Sequence, residues 1–134
     1  DQIVALRTYG DALGIAFQIA DDLLDYGGDT SATGKNVGDD FRERKLTLPV
    51  IKAAAKADAT ERAFWERTIQ KGNQQDGDLD EALRLIAKHG TMDATRADAL
   101  AWSDRAKDAM GAFPDSDLRQ TLIDLADYVV NRIA

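Results

Sequence analysis

Asp21, Asp22 and Asp25 crowd into the stretch Phe17-Gln18-Ile19-Ala20-Asp21-Asp22-Leu23-Leu24-Asp25, which is otherwise apolar apart from Gln18. A carboxylate taken out of water without a partner costs on the order of several kcal/mol or more, and tends to protonate rather than stay charged. Three acids set among so many apolar residues therefore predict a cation against them. At about 100° per residue, Gln18, Asp21, Asp22 and Asp25 share roughly 100° of helix arc. Gly10, Asp11 and Gly14 continue that stripe toward the N-terminus, while Leu6, Leu13, Ile15, Ile19, Leu23 and Leu24 occupy other directions. The pattern predicts a helix buried on most sides, with one narrow acidic face lining a polar cleft in a helical bundle.

The donor types select the ligand. With no cysteine and a single histidine, zinc and iron sites are disfavoured. Clustered carboxylate oxygens suit a hard cation, and magnesium favours one or two carboxylates plus waters and phosphate oxygens. The expected ligand is a phosphate or diphosphate bridged by magnesium (Mg2+). The next segment, Gly27 to Asp40, contains four glycines, three hydroxyl residues and Lys35, and has the length of a functional loop. Lys35 is expected to place a positive charge on the diphosphate, and the loop to act as a flap that orders around it. It is not a Walker A loop: five residues separate Gly28 from Gly34, Asn36 stands where Ser or Thr is needed, and a helix precedes it. Nor is Asp76-Gly77-Asp78-Leu79-Asp80 an EF-hand, because Glu81 takes the place of the required glycine and Ala87 that of the closing glutamate.

FQIADDLLDY followed by GKNVGDDFRERKLTLPVI resembles the second aspartate-rich motif of the trans-type polyprenyl (isoprenyl) diphosphate synthases, with its lysine-bearing downstream segment. The likeness is greatest to the long-chain group that makes octaprenyl, solanesyl or decaprenyl diphosphate. It implies an all-α fold, the C-terminal part of an isoprenoid-synthase-type bundle, with residues 1–134 forming part of a single domain whose N-terminal half carries the first aspartate-rich motif. It implies a prenyl transferase that condenses isopentenyl diphosphate with an allylic diphosphate. Asp21 would ligate magnesium, Asp22 and Asp25 would support it directly or through water, and Asp40 would assist the metal shell. Gln18 and Phe17 would contact the substrate and shape its pocket, while Lys35 and Lys45 would contact the allylic diphosphate. Asp21, Lys35 and Lys45 would be the catalytic set. One departure stands out: the family usually has glycine before the second lysine, where this chain has Arg44. The resemblance also implies a homodimer and a product able to associate peripherally with membranes, and the absence of cysteine is compatible with a cytoplasmic location.

Composition agrees with a soluble globular protein: 44% hydrophobic and 31% charged residues lie in the ordinary range. A net charge of −7 disfavours a nucleic-acid surface. Two other readings of the acidic stretch stand beside the enzyme. One is a non-catalytic diphosphate-binding subunit that needs a partner chain; the other is a plain helical interaction domain with solvated acids. With one aspartate-rich motif in the chain, the 134 residues alone are expected to transfer little or no prenyl group.

The remaining pattern predicts helices. Pro49 should sit in the first turn of one that runs through Ala57. Others are expected near 60–71 and 79–89, parted by the polar run 72–78, and over about 92–111. His89 should lie in a C-terminal turn before Gly90. Asp115-Ser116-Asp117 should cap a last helix that buries Leu118, Leu122, Leu125 and Val129.

Overall fold

Residues 1–27 and 37–133 are described by a computed structural model, and every regular element among them is helical. The helices are α1 (Gln2–Gly27), α2 (Asp39–Arg42), α3 (Leu48–Ala55), α4 (Ala59–Trp65), α5 (Asp78–Lys88), α6 (Thr91–Ala109) and α7 (Asp117–Asn131). A π-helical turn, Glu66–Gln70, extends α4, and a 3₁₀ turn, Met110–Ala112, extends α6. The chain divides into two compact units, one of Asp1–Asp21 with Arg96–Ala134 and one of Asp22–Thr95.

Most helix ends have a local chemical cause. Asp58 caps α4 by accepting from the Glu61 N–H, and the Glu61 carboxylate accepts from the Asp58 N–H in return. Pro49 lies in the first turn of α3, where its missing N–H leaves no bond unmade. Ser116 caps α7 through the Arg119 N–H at 3.0 Å. His89 closes α5 and is followed by Gly90 at φ +64°, the left-handed exit that ends many helices.

In the unit of residues 22–95, the core is made of large side chains: Tyr26, Phe41, Val50, Trp65, Leu85 and Ile86, with Ala53, Ile69 and Ala82 between them. Arg67 makes two parallel 2.9 Å hydrogen bonds to Asp78, joining the π turn to the start of α5. The helix expected over 60–71 is present but changes pitch at Glu66. There the Thr68 hydroxyl donates back to the Phe64 carbonyl at 2.9 Å, a contact that bends helices. The Thr68, Ile69 and Gln70 carbonyls all accept from side chains outside the helix.

In the other unit, small residues dominate. Tyr9, Ala12, Ala106, Met110 and Ala126 form the core, and the alanines let helices approach closely. The Tyr9 hydroxyl donates to the Leu122 carbonyl at 2.7 Å, and Ser103 Oγ donates to the Ala126 carbonyl at 2.9 Å. Here two expectations fail. On α7, Val129 is buried, yet Leu118 is 70% exposed and Leu125 is 43% exposed; the four-three-four spacing marks an apolar stripe, but only Ala126, Val129 and Val130 within α7 are fully covered. On α1, Ile3, Val4, Leu6, Ile15 and Phe17 are exposed. The apolar arc is wider than the described residues cover, so α1 is not buried on most sides here.

Candidate active site

The acidic stretch lies in the last two turns of α1. Asp21 is half-buried and Gln18 exposed, whereas Asp22 and Asp25 are buried at 8% and 3%. Phe17 is exposed, with the Arg132 guanidinium 5.0 Å from its ring centroid. It borders a groove of about 460 Å³ with Leu13, Leu125 and Tyr128. Lys35 lies outside the described residues, as does most of the loop that carries it.

Asp25 organises the start of the next helix. Helix α2 begins after Gly38, which has φ +86° and no side chain to cap with. The Asp25 carboxylate supplies the missing acceptor, taking the Asp40 N–H at 3.1 Å, while the Asp25 carbonyl takes the Gly38 N–H at 3.0 Å. A carboxylate at a helix N-terminus satisfies a free donor and opposes the helix dipole. The composition of the segment predicts a loop through Asp40; instead Asp39 and Asp40 occupy the first turn of a one-turn helix. Asp40 is 2% exposed, and its Oδ1 lies 3.4 Å from the half-exposed Lys45 ammonium.

The C-terminus of α2 turns back sharply. The Arg44 N–H donates to the Phe41 carbonyl and the Lys45 N–H to the Asp40 carbonyl, at 3.0 and 2.8 Å. These paired bonds define a Schellman turn with Arg44 in the position usually taken by glycine. Its φ is +62°, the only positive value at a non-glycine among the described residues. The left-handed region costs an L-residue about 1–2 kcal/mol. The glycine expected before the second lysine is thus replaced by an arginine that keeps glycine's conformation. Two hydrogen bonds from its guanidinium to the Ile69 and Gln70 carbonyls offset the strain.

Tyr26 and Thr47 belong to this neighbourhood too, and sequence reasoning missed both. Burial pushes the Tyr26 phenol up; a nearby Thr47 hydroxyl opposes this, and the Asp25, Asp40 and Asp22 charges raise it further. The two hydroxyls are close, although neither meets full hydrogen-bond geometry. Tyr26 therefore remains a neutral phenol among carboxylates. A signal for it exists, since Tyr26 is four residues after Asp22 and thus on its side of the helix.

The sequence profile of the polyprenyl synthetases matches residues 1–86. The chain belongs to the polyprenyl synthetase family. It is 40% identical over 128 residues to an octaprenyl diphosphate synthase of Haemophilus influenzae, an alignment that covers 96% of this chain and 39% of that protein. Among solved structures, a decaprenyl diphosphate synthase from Rhodobacter capsulatus is 65% identical with a TM-score of 0.92, covering 100% of this chain and 41% of that one. A polyprenyl synthase from Caulobacter crescentus, complexed with calcium and isoprenyl diphosphate, is 50% identical with a TM-score of 0.88, over 97% of this chain and 40% of that one. The chain thus spans about two-fifths of the length of these polyprenyl synthases, and its all-α fold is theirs. No described helix is long and apolar enough to cross a membrane.

The donor chemistry fits a hard divalent cation of the kind seen in the Caulobacter polyprenyl synthase. Asp40 Oδ2 is buried with no hydrogen-bond partner among the described residues, an arrangement that a carboxylate oxygen tolerates poorly without water or a cation. No group of three or more His, Cys, Asp or Glu among the described residues is arranged to hold a metal by itself. A cation held by one or two carboxylates and completed by water and phosphate oxygens agrees with both facts.

Proposed function

We propose that this chain carries the diphosphate-ionising side of a cytoplasmic prenyl transferase, which joins isopentenyl diphosphate to an allylic diphosphate and releases a longer trans-polyprenyl diphosphate. The observation that carries the reading is the chain of contacts Asp25–Asp40–Lys45. It sets a half-exposed cation beside buried carboxylates in a protein of the polyprenyl synthetase family. Similarity to the Haemophilus octaprenyl and Rhodobacter decaprenyl enzymes favours a long-chain product; a homodimer is part of the proposal by family resemblance.

Asp21 would ligate magnesium, Asp22 and Asp25 would support it directly or through bound water, and Asp40 would assist its shell, with water and phosphate oxygens completing the coordination. The bound ion would neutralise charge on the departing diphosphate as the allylic carbon–oxygen bond breaks. Lys45 and Lys35 would bind non-bridging phosphate oxygens, and Lys45 can exchange Asp40 for phosphate because its ammonium is half in water. Gln18 and Phe17 would orient the allylic chain. The neutral Tyr26 phenol adds no charge to compete with the leaving group. No histidine acts as base: His89 is hydrogen-bonded to Glu61 at 2.8 Å, and the released diphosphate is the proton acceptor.

The test is direct. This chain joined to an N-terminal half that carries the first aspartate-rich motif, incubated with magnesium, isopentenyl diphosphate and farnesyl diphosphate, should form radiolabelled polyprenyl diphosphate, whereas residues 1–134 alone should form little or none. Magnesium with inorganic diphosphate should raise the joined protein's melting temperature more than either alone, by mass-action linkage. Diphosphate stabilisation without product would favour the non-catalytic binding subunit; neither effect would leave the helical interaction domain.

A further inference from the structure

The same residues that strain the turn before Lys45 also tie it to another part of the fold. Arg44 Nε donates to the Ile69 carbonyl at 2.9 Å, and a second guanidinium nitrogen reaches the Gln70 carbonyl. These carbonyls belong to the end of the π turn, where helix geometry leaves acceptors unused and favours a cation. Gly72 makes the fit possible: a Cβ there would stand 2.9 Å from Arg44 Nε and Cζ. Gln74 adds a second bridge, its Nε2 donating to the Phe41 carbonyl at 2.8 Å and the Thr68 carbonyl at 3.1 Å. The Phe41 carbonyl also receives the Arg44 N–H, so both bridges converge on the turn that presents Lys45.

We infer that Arg44 is a positioning residue for Lys45: its guanidinium, docked on the Ile69 and Gln70 carbonyls, holds the left-handed turn that aims Lys45 at the diphosphate. The inference rests on the proposed prenyl transfer for its consequence, but not for its geometry. Glycine would adopt the turn without help and would hold it loosely. Arginine adopts it at a cost and is fixed by a contact 25 residues away. The fork geometry of the guanidinium is what reaches two carbonyls at once; an ammonium in its place is a single point of attachment.

The experiment uses Arg44→Ala, Arg44→Gly, Arg44→Lys and Lys45→Ala, singly and with Arg44→Ala combined with Lys45→Ala. In ligand-free protein, native-state amide exchange at Lys45 should quicken about tenfold or more in Arg44→Ala and Arg44→Gly relative to amides of α5. Arg44→Lys should recover part of that protection. With substrates, in this chain joined to an N-terminal half that carries the first aspartate-rich motif, Arg44→Ala should raise KM for the allylic diphosphate about tenfold while kcat falls less, and the effect should shrink to about twofold or below in the Lys45→Ala background. An equal penalty in both backgrounds would overturn the inference, since Arg44 would not be acting through Lys45. Slow exchange and parental KM in Arg44→Gly would overturn it too, because the backbone conformation alone would then suffice. A parent protein without prenyl transfer would sink the proposed function alone; the exchange measurement needs no substrate and still decides the tether.

Discussion

The two units of this chain solve the problem of stability by different means. Residues 22–95 enclose Phe41, Trp65, Leu85 and Ile86, and among the described residues leave only Leu46 and Ile51 as exposed large apolar side chains. The unit formed by residues 1–21 and 96–134 packs around alanines and exposes Ile3, Val4, Leu6, Ile15, Phe17, Leu100, Leu118, Leu125 and Tyr128. The first unit also contains the polar devices that are expensive to build: a carboxylate capping a one-turn helix, a bidentate Arg67–Asp78 pair and an arginine holding a strained turn. Position-sensitive chemistry needs groups whose own supports are fixed. A self-sufficient core supplies that; a unit with its apolar surface open does not by itself.

The sharpest way to break this comparison is to substitute neighbouring aspartates that fall on either side of the division. In this chain joined to an N-terminal half that carries the first aspartate-rich motif, Asp21→Ala should lower turnover by about 10²–10³-fold, the scale of losing one electrostatic stabiliser of the departing charge. Its ligand-free melting temperature should change little or rise, because removing one of several clustered acids relieves repulsion. Asp25→Ala should match that loss of turnover and also destabilise the ligand-free protein by about 1 kcal/mol, the usual value of a lost helix cap. Measuring turnover and thermal melts for both decides it. If Asp25→Ala is as stable as the parent, the cap on α2 has no energetic role and the contrast fails.

A second pair of substitutions compares the cores. Leu85 is fully buried, and Leu85→Ala should cost about 2–5 kcal/mol through lost transfer energy and the cavity left behind. Leu118 is 70% exposed, and its truncation should fall within about 0.5 kcal/mol of the parent. Urea melts of the two variants supply the numbers. A costly Leu118→Ala would mean that the apolar face of α7 is covered in the working protein, and would erase the difference between the units at that point.

How much of this is legible in the residues depends on how local each cause is. Helix existence comes from periodicity and from caps that act within four residues, so the places of Pro49, Ser116 and Gly90 can be read directly. The all-α fold and the family are legible because the DDxxD stretch and Lys45-Leu46-Thr47-Leu48-Pro49 are contiguous. The exposure of Leu118 and Leu125 is not, because a spacing names a face without naming its cover. Helix α2 reads as loop because its cap is Asp25, across the segment that holds Lys35. Arg44 stands out as a departure from glycine, yet its reason lies at Ile69 and Gln70. Glu61 illustrates the limit best: Asp58-x-x-Glu61 has the spacing of a capping box, while Lys88 and His89, which complete its surroundings, are 27 and 28 residues away.

That glutamate provides the smallest effect and the most specific test. Hydrogen bonds from Lys88 and then His89 hold the Glu61 carboxyl down at about 2, against an ordinary 4.5, with burial opposing them. A carboxyl whose folded value is depressed contributes stability that is complete above its unfolded value and is lost as protons bind on the way down. The contribution from Glu61 should therefore be whole above about pH 5 and disappear between roughly pH 4.5 and 2. Glu61→Gln keeps the side-chain volume and a capping oxygen but cannot ionise, so it should melt below the parent at neutral pH. The gap between the two melting temperatures should close as the pH falls through that window. Because Glu61 joins α4 to the end of α5, the closing gap reports on the polar fastening of residues 22–95 alone. A gap that stays constant from about pH 7 to about pH 2 would show that the Lys88 and His89 contacts act through shape and not charge, and would remove one of the polar devices that set this unit apart.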